Sequence, residues 1–301
     1  MDVRQKTALA QLTGEGIRFH YPMHRLTTYK VGGPVEALWE ARDLEKLKKV
    51  IRYLCMEDIP YGVLGRGSNL LVKDKGIDGV MILLSGSLAV IKDSADKSLI
   101  WAGGGVHLTD LMNWCRQNGL SGLEFLAGIP GTVGGAVVMN AGAFGEEVNE
   151  RIKALQFVLP GGTQVEMKRS ELEFSYRRLQ MEGEPLVTNA CFSLNRATPK
   201  AVSEKMSGFL RTRKQTQPLE YPSAGSVFKN PPGDHAGRLI EKAGLKGKRI
   251  GGAVVSEKHA NYIVNKGGAT ATDILSLMDL VRLEVKRTAG ITLEAEIRVL
   301  G

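Results

Sequence analysis

Apolar residues recur at helical spacing over 44–54, where Leu44, Leu47, Val50, Ile51 and Leu54 share a face opposite Glu45, Lys46, Lys48 and Lys49. Asp43 stands where an N-cap belongs, so an amphipathic helix is predicted to open there. The same period returns over 108–118, placing Leu108, Leu111, Met112 and Cys115 inward before Gly119 stops it. Further helices are predicted at 201–212, ending in the basic run Arg211-Thr212-Arg213-Lys214, at 238–243 before Gly244, and at 272–288 before Gly290. Short apolar or alternating runs predict strands at 61–64, 80–84, 99–102, 186–194, 253–255 and 262–264. A hairpin is expected from 152–159 and 163–168 around Pro160-Gly161-Gly162, and Ser170-Glu171-Leu172-Glu173 has capping-box form. Alternation is strict over 291–300: Ile291, Leu293, Ala295, Ile297 and Val299 point one way, and Thr292, Glu294, Glu296 and Arg298 the other. The stretch 121–145 fits neither period. Its glycines are too frequent for a stable helix and its side chains too apolar for a solvated loop, so a ligand is expected to lie against it.

Composition narrows the class. The 301 residues imply roughly two domains at about 150 residues each. With 43% apolar and 24% charged residues the chain reads as globular, and its net charge of +8 favours anionic partners. Glycine stands out: 36 residues are about 12%, against a usual share near 7%. No apolar run approaches the roughly 18 residues of a membrane helix, and no signal-peptide pattern opens the chain. Cys55, Cys115 and Cys191 are odd in number and far apart, which argues against a disulfide framework or a cysteine-based zinc site. They are expected to be small buried hydrophobes in a reducing cytoplasm, and no metal site is expected.

Two loops carry candidate chemistry. Gly65-Arg66-Gly67-Ser68-Asn69 follows a predicted strand, and its amides and polar side chains suit an anion nest, although the third glycine of a dinucleotide-binding turn is replaced by Leu70. The loop 128–135 offers a similar backbone, stiffened by Pro130. Two such loops suit a dinucleotide better than a single phosphate. A nucleic-acid binder is disfavoured, because aromatics are only 6% and no recognition motif appears. Read alone, Glu296 and Arg298 are the solvated face of a strand, Ser226 is a turn residue, His259 a structural or surface histidine, and 211–214 a solvated helix end.

A resemblance sharpens these readings. TTYKVGGP at 27–34, GRGSNLLV at 65–72, GIPGTVGGAVVMNAGAFG at 128–145, SYR at 175–177, AGSVFKNP at 224–231, VVSEKHANYIVN at 254–265 and LEAEIRVLG at 293–301 occur in order. Together they resemble the UDP-N-acetylenolpyruvoylglucosamine reductase (MurB) family, flavoenzymes of peptidoglycan precursor synthesis, over nearly the whole chain. The resemblance implies an α/β (α+β) fold: a two-lobed FAD-binding domain of the vanillyl-alcohol-oxidase/PCMH type over 1–216, split near 90–100, and a C-terminal α+β substrate domain over 217–301. It implies noncovalent FAD, NADPH as hydride donor and a UDP-sugar substrate. The implied enzyme is a cytoplasmic UDP-N-acetylmuramate dehydrogenase, expected to be a monomer without nucleic-acid or membrane partners. Another FAD-dependent oxidase or dehydrogenase of the same superfamily is the alternative.

By the same resemblance, Ser226 is the proton donor, Arg177 the group that stabilises the developing enolate, and Glu296 the third catalytic residue. FAD contacts fall on Gly65, Arg66, Gly67, Ser68, Asn69 and Leu70, on Gly128, Ile129, Pro130, Gly131, Thr132, Gly134 and Gly135, and on Asn140, Ala141 and Gly142. Substrate contacts fall on Lys229, Asn230, Arg298, Lys214 and His259. Two departures stand out: Ala295 replaces the family's usual proline, and Leu179 replaces a serine two residues after SYR. The chain also resembles a compact subclass that lacks an extra substrate-covering loop.

Overall fold

The computed structural model describes residues 1–96, 98–181 and 186–301. The first predicted helix forms as Leu44–Met56, with Asp43 Oδ1 accepting from the Lys46 amide at 2.8 Å and Leu47, Val50, Ile51 and Leu54 buried. Helices Leu108–Gln117, Pro199–Thr216, Ala236–Lys242 and Ala271–Ala289 also form near their predicted bounds. Gly119, Gly244 and Gly290, which end three of them, take φ of +61°, +70° and +72°, the left-handed stop that glycine adopts without a Cβ clash. Periodicity gave no sign of the helix Val3–Thr13. It carries a capping box from Asp2 and Gln5, but its buried residues are only Leu9 and Thr13, so no apolar stripe marks it.

Contacts divide the chain into two compact units. The first comprises Met1–Phe19, Ala37–Gly65 and Gly79–Thr212. Most of one sheet lies in it, ordered Ile17–Pro22, Pro34–Ala41, Ile77–Leu84 and Tyr61–Leu64, with the last two strands parallel. A second sheet is antiparallel and ordered Gln164–Lys168, Ile152–Val158, Leu186–Ser193, Leu99–Gly103 and Ile91–Asp93. Leu111, Phe125, Val137, Leu155, Phe157 and Phe192 belong to the core beside it. Mixed sheets with helices packed on them are α+β architecture.

The second unit comprises His20–Glu36, Arg66–Asp78 and Arg213–Gly301. Its antiparallel sheet of Arg249–Ile250, Ala253–Val255 and Ile263–Asn265 shares a core with Ile274, Leu277, Met278, Val281 and Val285 of the long helix. The two units interleave along the chain, whereas the sequence reading takes 1–216 and 217–301 as consecutive domains. Long-range pairing is the reason. Leu70–Val72 runs parallel to Arg298–Leu300, with Leu70 opposite Arg298, and draws 66–78 into the unit of the C-terminus.

Four local predictions are corrected. A six-residue helix, Val133–Val138, forms inside the glycine-rich stretch, and Thr132 Oγ1 caps it by accepting from the Gly135 amide at 3.3 Å. Gly134 is needed there for packing, since a Cβ would meet the Gly104 carbonyl at 3.1 Å. The capping-box signal near 170 yields only the 3-10 turn Arg169–Glu171, closed by Lys168 N donating to Glu171 at 2.7 Å, before the strand Glu173–Ser175. The alternating 291–300 segment pairs only over Arg298–Leu300, because 294–296 bond to a different partner, and Val299 is exposed. Cys55 is exposed and its sulfur accepts from the Gly161 amide at 3.3 Å. Cys115 and Cys191 are buried, and burial raises their thiol pKa to about 12 and about 11.

Asp74 caps the long helix of the second unit from a distant loop. Its carboxylate accepts from the Ala271 and Thr272 amides at 2.9 Å each and from Thr272 Oγ1 at 2.7 Å. Burial alone would raise its pKa, but these three hydrogen bonds outweigh it and hold the carboxyl below its ordinary value. Asp74→Ala is expected to cost about 1 kcal/mol, the usual worth of a helix cap. Because the folded pKa is lowered, the contribution of Asp74 is full above the unfolded carboxyl pKa and fades as pH falls through the folded one. Urea denaturation of both proteins at neutral and acidic pH checks this: the gap should close in acid.

Candidate functional site

In the second unit three chain segments meet around Ser226. The Val227 amide donates to the Asn261 carbonyl at 2.8 Å, and the Phe228 amide donates to Asn261 Oδ1 at 3.0 Å. Asn261 Nδ2 returns to the Phe228 carbonyl at 2.8 Å. On the opposite edge the Glu296 amide donates to the Val227 carbonyl at 2.8 Å and the Lys229 amide to the Glu294 carbonyl at 2.9 Å. Residues 227–229 are therefore gripped from both sides, which fixes the backbone that presents Ser226. Gly225 precedes it with φ +76° and open space where a Cβ would stand, a turn that disfavours any side chain.

The side chains near Ser226 are polar and enclosed. Tyr262 is buried, and its hydroxyl is hydrogen-bonded to Ser226. Burial raises the Tyr262 pKa, Arg213 opposes that rise and Glu296 adds to it, so both charged groups act on the same phenol. Asn69 Nδ2 donates to the Glu296 carbonyl at 3.1 Å, and the Arg298 amide donates to the Asn69 carbonyl at 3.0 Å. The end of the first glycine loop is thus tied to the segment that carries Glu296.

Sequence reasoning missed two of these residues. From the run 211–214 it selects Lys214, yet Lys214 is exposed, and its carbonyl accepts from Lys258 Nζ at 2.7 Å. Arg213 is the buried member, at 8% exposure. The usable signal was spacing, since Arg213 follows Val202, Met206 and Phe209 at helical intervals. Tyr262 had no signal of its own beyond its place in the HANY motif.

Other predicted substrate residues have protein partners. Lys229 Nζ meets Glu294 at 2.5 Å, and Asn230 Oδ1 accepts from the Ala236 amide at 3.0 Å. His259 is half-buried, its ring edge-on to Tyr262 at 4.8 Å between centroids. Its Nδ1 accepts from the Asn261 amide at 3.3 Å, and burial lowers its pKa, so the neutral ring braces the 259–262 turn. Arg298 is exposed, whereas Glu296 is half-buried. The two do not share one strand face, because the strand begins only at Arg298.

The glycine loops are placed as follows. In the first unit a Cβ on Gly65 would come within 2.8 Å of Thr132 Oγ1, so the start of the first loop lies directly on the second. In the second unit Gly67 has φ +61°, and a Cβ there would strike the Leu26 carbonyl. Thr28 donates to the Gly67 carbonyl through its amide at 3.1 Å and its hydroxyl at 3.2 Å, so TTYKVGGP packs on this loop. Arg66 is exposed, Ser68 half-buried and Leu70 buried. Along the second loop Gly128, Pro130 and Gly135 are exposed, while Ile129, Gly131 and Gly134 are half-buried and Thr132 is buried. No charged residue occurs over 125–145. An uncharged, glycine-lined backbone surface is chemically suited to a flavin nucleotide, whose ring is apolar and whose pyrophosphate takes amide donors.

Ala141 and Gly142 are half-buried in the same region, but Asn140 is fully enclosed, with its side chain bonded to Glu147, Asn149 and Ser175. Arg177 occupies the second position of the two-residue turn between Glu173–Ser175 and Arg178–Gln180, with φ +61°. Its Nη1 donates to the Gly142 carbonyl at 2.8 Å, and its guanidinium lies 5.1 Å from the Tyr176 ring centroid. Leu179, where the family usually has serine, is buried in the core. No group of three or more His, Cys, Asp or Glu able to hold a metal ion occurs among the described residues, and no helix there is long and apolar enough to cross a membrane.

Comparisons with known proteins agree with one another. The profile described as UDP-N-acetylenolpyruvoylglucosamine reductase, C-terminal domain, matches residues 217–300, and an FAD binding domain profile matches 35–168. The chain is 45% identical over 286 residues to UDP-N-acetylenolpyruvoylglucosamine reductase 2 of Symbiobacterium thermophilum, covering 95% of this chain and 92% of that protein. It is 42% identical over 302 residues to the UDP-N-acetylenolpyruvoylglucosamine reductase of Lactobacillus johnsonii, covering 100% and 98%. The crystal structure of the corresponding reductase from Thermus caldophilus superposes with a TM-score of 0.80 at 38% identity, covering 95% of this chain and 98% of that one. An alkyldihydroxyacetonephosphate synthase shares the fold alone, at 12% identity and a TM-score of 0.50 over 65% of this chain and 41% of that one.

Proposed function

As this chain belongs to the UDP-N-acetylenolpyruvoylglucosamine reductase family, we propose that it reduces the enolpyruvyl group of its UDP-sugar substrate to give UDP-N-acetylmuramate, with NADPH as reductant and FAD as bound cofactor. The observation that carries the reading is the convergence of AGSVFKNP, HANYIVN and LEAEIRVLG on Ser226 through main-chain and Asn261 hydrogen bonds. The loops at 65–70 and 128–135, with 141–142, would hold the flavin, which supplies the two-electron relay from NADPH to the vinyl carbon. Everything else falls to side chains of this chain.

Ser226 is the proton donor to the carbon beside the substrate carboxylate. A serine hydroxyl is a weak acid, and the hydrogen bond to the buried Tyr262 hydroxyl fixes its orientation. Arg177 stabilises the negative charge that develops on the carboxylate as an enolate. Glu296 keeps a proton within reach of that charge. Of the substrate contacts, Arg298 is the exposed cation suited to the diphosphate, and Arg213 replaces Lys214 as the inward member of its run. The reading places the enzyme as a cytoplasmic monomer, where nucleotide sugars and NADPH are made, and assigns the +8 charge to anionic small molecules rather than nucleic acid.

The test is spectroscopic. Purified protein should be yellow, bleach on addition of NADPH, and recover its colour faster with UDP-N-acetylglucosamine enolpyruvate than with oxygen. Protein that stays colourless after incubation with FAD would overturn the proposal, and preferential reoxidation by oxygen would favour the oxidase alternative.

A further inference from the structure

Asn140 lies in a sequence block expected to touch the cofactor, but its side chain is used up elsewhere. A carboxamide has two N–H donors and two acceptor lone pairs. Here Nδ2 donates to Glu147 Oε2 at 2.7 Å and to the Ser175 carbonyl at 3.1 Å. Oδ1 accepts from the Asn149 amide at 3.2 Å and from Asn149 Nδ2 at 3.0 Å. Exposure is 0%, and φ is +40°, a backbone state that asparagine tolerates better than most residues. Nothing is left on this side chain for a cofactor.

The four bonds lead to one place. Ser175 immediately precedes the two-residue turn of Tyr176 and Arg177, so Asn140 holds the last strand carbonyl before that turn. Two residues further along, the Gly142 carbonyl accepts from Arg177 Nη1 at 2.8 Å. The short segment 140–142 therefore grips both the backbone and the guanidinium of the Arg177 turn. A Cβ on Gly142 would lie 3.1 Å from Arg177 Nη1, so glycine is what allows this approach. Behind Asn140 the network is anchored as well. Asn149 Nδ2 also donates to Glu147 Oε2 at 2.9 Å, and Arg169 donates to the Asn149 carbonyl at 3.2 Å and to Asn149 Oδ1 at 3.1 Å. Arg169 further donates to the Leu172 carbonyl at 3.0 Å, at the entrance to the strand that leads into the turn.

We propose that Asn140, oriented by Asn149 and Glu147, is the positioning residue of Arg177, and that it serves the reaction through that arginine rather than by contact with the flavin. This rests on the reading of Arg177 as the enolate-stabilising group. A strained turn needs such a clamp, because a left-handed arginine has no intrinsic preference for its observed conformation.

The test uses FAD-loaded full-length enzyme and a double-mutant cycle of Asn140→Ala with Arg177→Gly, read by stopped-flow absorbance of the flavin. Asn140→Ala is expected to retain FAD and its rate of reduction by NADPH, and to slow reoxidation by the enolpyruvyl sugar nucleotide by about 10²-fold, as a misplacement near 1 Å does. In the Arg177→Gly background the same change should cost less than about two-fold, because the group being positioned is already gone. Asn149→Ala leaves the Asn140 side chain in place while removing the orienting amide with its bonds to Glu147 and Arg169, and should give a smaller loss in the same half-reaction, which keeps the test open if Asn140→Ala does not fold. Loss of FAD or equal slowing of both half-reactions would overturn the proposal in favour of a cofactor-wall role. An undiminished cost in the Arg177→Gly background would overturn it while leaving the function intact. Normal reoxidation in Arg177→Gly alone would instead remove the reading of Arg177, and the proposal with it.

Discussion

Ser226→Ala is expected to leave flavin reduction by NADPH unchanged and to slow reoxidation by the enolpyruvyl sugar nucleotide by about 10²–10⁴-fold, the range for losing a positioned general acid. The expectation follows from how the serine is held. Its neighbours 227–229 are fixed by main-chain bonds to 261 and 294–296, none of which uses the Ser226 hydroxyl, so the backbone should not move. What is lost is one O–H and the partner of the buried Tyr262 hydroxyl. Leaving that phenol unsatisfied costs about 1–3 kcal/mol, which thermal denaturation would register as a modest loss of stability. The two half-reactions are separable by stopped-flow absorbance. Unchanged reoxidation would remove Ser226 from the chemistry.

The parts of this protein legible from sequence are those governed by local physics. Helix Leu44–Met56 was readable because its cap, its apolar stripe and its solvated lysines all agree. The stop glycines were readable because a left-handed residue after a helix has few substitutes. What escaped depends on distant partners. Asp74 caps a helix almost two hundred residues further on, and no spacing rule connects them. The 291–300 alternation promised one strand, but its two halves bond to different segments, the first to 227–229 and the second to Leu70–Val72. The site shows the same division. Motif order brought Ser226 and Glu296 into one account, and the structure gives them adjoining main-chain positions in one unit. The basic run 211–214 does not reveal which member turns inward, and the structure buries Arg213 and leaves Lys214 exposed. Asn140 is grouped with the flavin loop by its neighbours in sequence, and no spacing rule shows that its buried amide bonds to Glu147 and the Ser175 carbonyl.

Arg177→Gly sets stability against activity, and the two are expected to move apart. Arginine at φ +61° carries backbone strain that glycine avoids, and strain retained in a turn points to a side chain that is needed there. Removing the side chain forfeits the bond to the Gly142 carbonyl, so the two changes in stability largely cancel, to within about 1 kcal/mol. Reoxidation by substrate, by contrast, should fall about 10²–10³-fold, the cost of deleting one preorganised donor to a developing oxyanion. Arg177→Lys keeps the charge and the strained backbone but loses the planar fork, and should fall between the two. Thermal denaturation and single-turnover reoxidation on the same samples give both axes. A purely structural arginine would show the reverse pattern, with a lower melting temperature and unchanged reoxidation. That outcome would return Arg177 to the role of a turn residue.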